Sequence, residues 1–289
     1  MVAKHLLTTL LLATLAFGPL GCAARLQSAL VGSLIEDVSA ATARHDDLDL
    51  VTSGVPTFLL LLEGLLVANP QDPQLLLSAA EIYTSYATLV EVDDPERAKH
   101  LYHRGKVNGL KALALRLSQP DLLQAPYAEF IRVTDDLDAS DLPVAFWAAS
   151  SWGAWISANL ESMAALAELP KVIKLMQWIV DQDETFQYGT SHVFLGSYYA
   201  ALPPMLGGNP EKAAEHFDRA VAISKGQVLM VYVAKAKFYA RITFDRELYE
   251  SLLNQALTSS ADAVPELTLQ NIAAQRQAQI LLDQADDFF

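Results

Sequence analysis

The chain has 289 residues, of which 52% are hydrophobic and 19% are charged, so it can bury a large core and is not disordered in the main. Its 34 acidic and 20 basic residues give a net charge of -14, which repels phosphate backbones and argues against nucleic acid as a partner. The single cysteine excludes an internal disulfide.

The first 22 residues have the pattern of an exported bacterial lipoprotein. A basic start at Lys4 and His5 precedes an apolar run, Leu6–Phe17, which is shorter than the roughly 20 apolar residues needed to span a bilayer. Gly21, directly before Cys22, resembles the lipobox, in which the cysteine sulfur receives a diacylglyceryl group. An ordinary signal peptide followed by a buried cysteine is the alternative interpretation.

We predict that the lipid on Cys22 is the sole means of membrane attachment. Ala23 rather than aspartate follows the cysteine, which is typical of sorting to the outer membrane, so we expect a periplasmic protein anchored there. Pro19 departs from the usual lipobox, which has leucine three places before the cysteine. The predicted parts of the chain are a signal peptide over 1–21, a tether and first helix over 22–50, and a TPR-like helical domain over 51–289.

Beyond the leader, the pattern predicts one helix after another. Apolar residues such as Leu75, Ala79, Ile82 and Tyr86 recur with a period near 3.6, and strand patterns are nearly absent. We therefore predict an all-α solenoid or bundle of helical hairpins with about a dozen helices. An Asx residue followed by proline indicates a helix start, because the Asx oxygen accepts from first-turn amides and proline loses no hydrogen bond there. Such starts are predicted at Asn69-Pro70, Asp72-Pro73, Asp94-Pro95 and Asn209-Pro210, and further starts near Pro56, Pro143, Pro170 and Pro265.

Two stretches have the residue spacing of a tetratricopeptide (TPR) hairpin. In both, the second helix has a small residue, an aromatic residue four places later and a small residue three places after that. Small residues let paired helices approach closely, and the aromatic ring fills the gap between them. The second-helix residues are Ala98, Tyr102 and Gly105 in one stretch, and Ala213, Phe217 and Ala220 in the other. A generic helical bundle is the alternative.

Three of the four tryptophans, Trp147, Trp152 and Trp155, lie within nine residues of one another. Trp152 and Trp155 share a helical face, and three indoles exceed what the core of one helix pair requires. We therefore take these three residues and Tyr199 as candidate ligand-binding residues, with ordinary core packing as the alternative.

A second candidate feature is the loop that follows Tyr199. Pro203 and Pro204 restrict the backbone of its first part, whereas Gly207 and Gly208 give the backbone of its second part more conformational freedom. We therefore predict that the segment is not helical. It is a candidate partner contact or pore-mouth loop, with an elongated turn between helices as the alternative.

No residue pattern indicates catalysis, a metal site or a cofactor. His100 and His103 share a helical face with Glu96, but neighbouring basic residues favour a solvated surface. His192 and His216 are isolated in the sequence, and the acidic run Asp135–Asp141 is predicted to be a solvated linker. The chain also lacks the HExxH, GxSxG and P-loop motifs, so we predict that it is not an enzyme.

Six stretches, at 54–87, 96–105, 146–156, 195–224, 239–253 and 267–282, have a pattern beyond a generic TPR. Two parts of it, FWAASSWGAWI at 146–156 and LPPMLGGNPEKA at 202–213, are not required by a generic TPR consensus. Together these stretches resemble a particular family, the T component of TPR-protein-associated TRAP transporters. The resemblance extends from about residue 50 to the C-terminus. It implies a periplasmic lipoprotein that forms a homotrimer with pore-like openings and associates with the extracytoplasmic solute-binding protein of the transporter. It brings no catalytic residue.

Three functions are therefore compared. The first is a membrane-anchored scaffold that docks the TRAP solute-binding protein and handles its ligand. The second is a stand-alone carrier or receptor for a small apolar molecule, bound at the tryptophan cluster. The third is a generic TPR lipoprotein of envelope assembly, which would keep the fold and change only the partner.

Overall fold

A computed structural model describes residues 32–289, and within these residues the fold is helical throughout, with thirteen helices and no strand. The predicted all-α class is therefore confirmed. Residues 32–43 are helical, and Thr42–Phe289 forms one compact unit. The helices of this unit are α1 Leu48–Ala68, α2 Pro73–Val90, α3 Pro95–Arg116, α4 Tyr127–Thr134, α5 Leu142–Ser157, α6 Met163–Asp183, α7 Thr190–Ala201, α8 Pro210–Ser224, α9 Met230–Lys235, α10 Arg246–Thr258, α11 Thr268–Asp283 and α12 Ala285–Phe288.

Three of the predicted Asx-Pro starts are helix starts in the structure. Asp72, Asp94 and Asn209 cap α2, α3 and α8, and each side-chain oxygen accepts a hydrogen bond from an amide of the first turn. The proline that follows each cap occupies the first helical position, where its missing N–H has no partner to lose.

The starts predicted at Pro56, Pro170 and Asn69-Pro70 are wrong. Pro56 lies inside α1, Pro170 lies inside α6, and Asn69 ends α1 as its C-cap. A proline inside a helix removes the hydrogen bond to the carbonyl four residues earlier. For Pro56 that carbonyl belongs to Thr52, and the Tyr86 hydroxyl donates to it at 3.1 Å. The tertiary structure thus replaces the hydrogen bond that the local sequence lacks.

Consecutive helices pack as hairpins: α2 with α3, α5 with α6, α7 with α8, and α10 with α11. The small residues occupy the close approaches, as the TPR spacing predicts. A Cβ placed on Gly105 would lie 2.5 Å from the Thr84 hydroxyl oxygen, and one on Gly196 would lie 3.0 Å from the Phe217 ring.

The acidic run before α5 is only partly solvated, contrary to the linker prediction. Asp141 is buried and accepts from Arg116 Nε at 2.5 Å, and its second oxygen accepts from the backbone N–H of Asp138. Asp138 in turn caps the short 3-10 turn Ala139–Asp141. The run therefore fixes the entry into α5, the helix that carries the three tryptophans.

The last long helix, α11, packs against the first two helices, α1 and α2. Val51 of α1, Leu89 of α2 and Leu269 of α11 form one buried apolar cluster. Next to this cluster, Arg276 of α11 forms an ion pair with Asp93, and Arg276 Nη2 lies 2.6 Å from Asp93 Oδ1. Contacts between the two ends thus close the array of hairpins.

Helix α1 is apolar on its outer as well as its inner side. Its inner side buries Val51, Leu59 and Leu62, whereas Leu60 and Leu61 are 69% and 64% exposed. By length and composition alone this helix could cross a membrane, and most of its residues are not buried against the rest of the described chain. Its outer face is thus apolar and stays uncovered by the other described residues.

Candidate binding site

The three predicted tryptophans lie on α5, which packs between α3 and α6. Trp152 is fully buried in the largest apolar cluster, and its ring meets Phe130 of α4 edge to face with centroids 6.0 Å apart. Trp147 and Trp155 pack against the same cluster but are only half-buried. Trp147 instead meets Phe146, with ring centroids 5.1 Å apart, so the three indoles share one apolar cluster without a ring contact between them being established, and two of them stay partly accessible.

An ion pair between a buried lysine of α3 and a half-buried glutamate of α6 contacts this cluster. Lys106 Nζ lies 2.5 Å from Glu168 Oε2, and the Trp152 indole N–H donates to the same oxygen. The ammonium also lies 3.5 Å from the centroid of the Trp155 ring, where the negative face of the ring attracts it. Burial lowers the pKa of Lys106, while the hydrogen bond and charge of Glu168 oppose that shift.

Sequence reasoning missed Lys106 and Glu168. A signal was available, because Lys106 lies four residues after the buried Tyr102, on the inner side of an otherwise apolar and small-residue stripe. A charged residue at such a position is buried only with a partner. The ion pair, the indole hydrogen bond and the ammonium–ring contact hold Trp152 and Trp155 in their observed orientations.

Tyr199 of α7 packs against the same apolar cluster as the tryptophans. Its ring stacks on His216 of α8, with centroids 5.5 Å apart and planes inclined by 12°. The Lys212 ammonium lies 5.4 Å from the Tyr199 ring centroid. The fourth candidate residue therefore belongs to the tryptophan core on one side and to the α7–α8 hairpin on the other.

His192 and His216, which are isolated in the sequence, form a pair in the structure. Their Nδ1 atoms lie 2.8 Å apart, and His192 Nε2 lies 3.5 Å from Glu184 Oε2. Burial is the main cause that lowers the pKa of His216 to about 4, with the charges of His192 and Lys212 acting in the same direction. Burial lowers the pKa of His192 as well, against the charge of Glu184. The contact between the two rings ties α7 to α8.

The candidate loop Pro203–Gly208 is a tight turn rather than a slack connection, and it contains the short 3-10 helix Pro204–Leu206, so the prediction that it is not helical is wrong. Gly207 has a φ of 98°, its N–H donates to the Pro204 carbonyl, and the Gly208 N–H donates to the Pro203 carbonyl. A Cβ on Gly208 would lie 1.6 Å from the Leu202 carbonyl oxygen, so the position accommodates only glycine. This backbone holds Met205 at the tip with 89% of its surface exposed.

A small apolar pocket of about 230 Å³ lies between the start of α2, the end of α3 and the start of α5. None of the four candidate ligand-binding residues lines it. The lining residues are Pro73, Gln74, Leu77, Ala112, Leu115, Arg116 and Val144.

Two further predictions are not tested by the structure. Cys22 and the signal peptide lie outside the described residues, so lipid attachment and the boundaries 1–21, 22–50 and 51–289 stay predictions. Within residues 32–289, no group of three or more His, Cys, Asp or Glu side chains is placed to hold a metal ion. His103 instead lies beside Trp155, with ring centroids 6.1 Å apart.

Comparison with known proteins supplies the remaining observations. A family model described as TRAP transporter T-component matches residues 44–289, which include every helix from α1 to α12. The chain is also similar to an uncharacterized protein of Treponema pallidum (strain Nichols). The two are 23% identical over 273 residues, which cover 88% of this chain and 84% of the relative.

Proposed function

This chain belongs to the family of TRAP transporter T-components, and on that premise we propose that it is a periplasmic lipoprotein scaffold that docks the solute-binding protein of its transporter. The observation that carries the proposal is the family match over 44–289. The family is a transporter component and not a family of enzymes. A homotrimeric assembly and the handling of the transported ligand are further parts of the proposal.

Membrane attachment through Cys22 is the first part to test. Cys22→Ser removes the sulfur that would accept the diacylglyceryl group, so the variant is expected in the soluble periplasmic fraction while the unchanged protein sediments with outer membranes. Mass spectrometry of the N-terminal peptide would show the lipid directly. Retention of Cys22→Ser in the membrane fraction would contradict lipid anchoring as the sole attachment.

The loop Pro203–Gly208 is the surface that we propose for the solute-binding protein. Its backbone is fixed by internal hydrogen bonds, so an apolar tip at Met205 is presented without the entropy cost of ordering a flexible loop. A stable complex needs an interface of about 1,600 Å² in total, which is more than the loop alone can bury. The loop would therefore form the centre of the interface, and the surface around it would form the rim.

The docking proposal is tested by affinity purification of the tagged lipoprotein from solubilised membranes. We expect the periplasmic solute-binding protein to copurify, and Met205→Asp to reduce its recovery by about tenfold or more. Met163→Asp is the matched control, because Met163 is 78% exposed but lies at the start of α6. Equal losses from both variants would contradict the assignment of the loop.

Ligand handling is proposed at the half-buried aromatic rings of Trp147, Trp155 and Tyr199. Native mass spectrometry of protein purified from its own cells is expected to show a bound small molecule, lost in Trp155→Ala. If a ligand is bound and no solute-binding protein copurifies, the stand-alone carrier becomes the better explanation. If a different envelope protein copurifies, the generic assembly role does.

A further inference from the structure

The loop Pro203–Gly208 is joined to the histidine pair of the α7–α8 hairpin through a single residue, Tyr199. The Tyr199 carbonyl accepts from the Asn209 N–H at 2.8 Å, directly after the loop. The Tyr199 ring stacks on His216 of α8, with planes inclined by 12°. A shift of the His216 ring therefore acts on the residue that holds the end of the loop.

Tyr198 provides a second connection between these rings and the loop. Its ring meets the Tyr199 ring edge to face, with centroids 5.0 Å apart. A Cβ on Gly207 would lie 2.9 Å from the Tyr198 hydroxyl oxygen, so this hydroxyl limits the space beside the loop. Burial raises the pKa of Tyr198, so its hydroxyl stays uncharged over the pH range in which histidines titrate.

The contact between His192 and His216 depends on the number of protons that the two rings bind. With 2.8 Å between the Nδ1 atoms, one nitrogen donates and the other accepts, so one of the two carries a proton. A second proton on these nitrogens would replace the hydrogen bond by two opposed N–H groups. A proton on either Nε2 atom would put a charge into a contact between a buried and a half-buried ring.

The charged groups around the pair give an added proton little compensation. Lys212, one turn before His216 on α8, acts in the same direction as burial and His192 in lowering the pKa of His216. Glu184, at the end of α6, lies 3.5 Å from His192 Nε2, but Arg219 of α8 already donates to the same carboxylate oxygen at 2.7 Å. Acid therefore favours an arrangement in which the rings reach solvent.

We propose that the His192–His216 pair is a proton-sensitive latch, which holds the loop Pro203–Gly208 in place near neutral pH and releases it in acid. Release would end the fixed presentation of Met205, so binding of the partner would weaken as the pH falls. This regulation of docking rests on the proposed function, whereas the latch itself can be measured on the isolated protein.

Amide hydrogen exchange of the protein with Cys22→Ser measures the latch. The N–H groups of Gly207, Gly208 and Asn209 are protected by the hydrogen bonds that hold the loop. The released form binds more protons, so after correction for intrinsic exchange we expect their protection factors to fall about tenfold between about pH 7 and 5. The N–H of Ser259, at the end of α10, is the reference for unfolding of the whole chain.

Two variants remove the titrating ring. His216→Phe keeps a ring on which Tyr199 can stack, and His216→Gln keeps a polar side chain, so one folded variant is sufficient. Either is expected to make the protection of the loop independent of pH. His100→Gln, at an exposed position of α3, is the matched control and should leave the tenfold change intact. Melting curves verify that each variant folds.

Three results of the exchange experiment would overturn the latch. The first is loop protection that does not change with pH in the unchanged protein, and the second is an equal change in a folded His216 variant. The third is a matching loss of protection at Ser259, because the loop would then open only with the whole fold.

Affinity purification at about pH 7 and 5 separates the latch from the docking. Recovery of the solute-binding protein at pH 7 and its loss at pH 5, with no such loss in His216→Phe, would support regulation of docking by the latch. Equal recovery at both pH values would overturn that regulation. If the loop amides respond to pH but no solute-binding protein copurifies at either pH, the latch stands and the proposed docking fails.

Discussion

Trp152 lies out of contact with solvent, between the Phe130 ring and the carboxylate of Glu168. Trp152→Ala would leave a cavity and remove the indole N–H that Glu168 accepts, so we expect a loss of about 3 to 5 kcal/mol in the free energy of unfolding. Urea denaturation followed by circular dichroism measures this loss. Trp155→Ala, at a half-buried position, is the comparison and is expected to cost less.

Ligand binding by Trp152 itself would give the opposite pattern. A Trp152→Ala variant with nearly unchanged stability and a lost ligand would show that the indole serves binding and not the core.

The His192–His216 pair predicts a pH dependence of stability. The pKa of His216 falls from its ordinary value of 6.5 to about 4 in the folded chain, so between these values the unfolded chain binds more protons. Stability is thus full above about pH 6.5 and declines as the pH falls towards 4. At about 1.36 kcal/mol per pKa unit the whole change is about 3 kcal/mol, and solvent screening of the half-buried ring reduces the expected decline to about 1 to 2 kcal/mol. His216→Phe should flatten this slope in urea denaturation at about pH 6.5, 5.5 and 4.5.

The exposed His100 supplies the control for the pH experiment. His100→Gln removes a histidine that the pair does not contact, and the slope should remain. A slope that survives His216→Phe would instead assign the pH dependence to other groups, such as Glu184 and its partner Arg219.

Among the helices, α1 continues through Pro56 because the Tyr86 hydroxyl of α2 donates to the Thr52 carbonyl. Tyr86→Phe leaves that carbonyl without this donor and is expected to cost about 1 to 2 kcal/mol. Pro56→Ala restores a backbone N–H for the same carbonyl. In the Pro56→Ala background, Tyr86→Phe should therefore cost about 1 kcal/mol less, which a double-mutant cycle in chemical denaturation measures.

Arg97 provides a check on that cycle, since its Nη2 donates to the Tyr86 hydroxyl oxygen at 2.9 Å. Tyr86→Phe also removes the hydrogen bond from Arg97, and Pro56→Ala does not change that share of the lost free energy of unfolding. Identical losses in the two backgrounds would mean that the Thr52 contact contributes nothing measurable.

Caps and prolines differ in how far the local sequence determines them. Asp72, Asp94 and Asn209 act within a single turn, so sequence reasoning placed the starts of α2, α3 and α8 correctly. Pro56 and Pro170 were mistaken for starts because their helices continue upstream of the proline. At Pro56, the missing hydrogen bond is supplied by a hydroxyl that lies 34 residues from the accepting carbonyl in the sequence.

For the molecule as a whole, the contact of α11 with α1 and α2 predicts that the array unfolds in one step. All four tryptophans lie in α5 and α6, so their fluorescence reports the middle of the array, whereas circular dichroism reports every helix. The two signals should coincide in urea. Leu269→Ala is expected to lower stability by about 2 to 3 kcal/mol and to separate them, because it weakens the contact between the ends.

Thr258, at the exposed end of α10, offers a surface control for that comparison. Thr258→Ala should shift neither signal by more than about 0.5 kcal/mol, because it alters no contact between the two ends of the array. Fluorescence and circular dichroism that already separate in the unchanged protein would contradict closure as the source of cooperativity.

Local sequence was sufficient to predict the all-α class, the capped helix starts, the small-residue contacts of the hairpins and the family, because each depends on short-range chemistry or on a contiguous motif. Which distant residues meet became known only from the folded chain. Folding paired Lys106 with Glu168 and His192 with His216, buried Trp152 while leaving Trp155 accessible, and exposed the outer face of α1. These contacts and exposures depend on how helices tens of residues apart pack against one another, which a local sequence pattern does not determine.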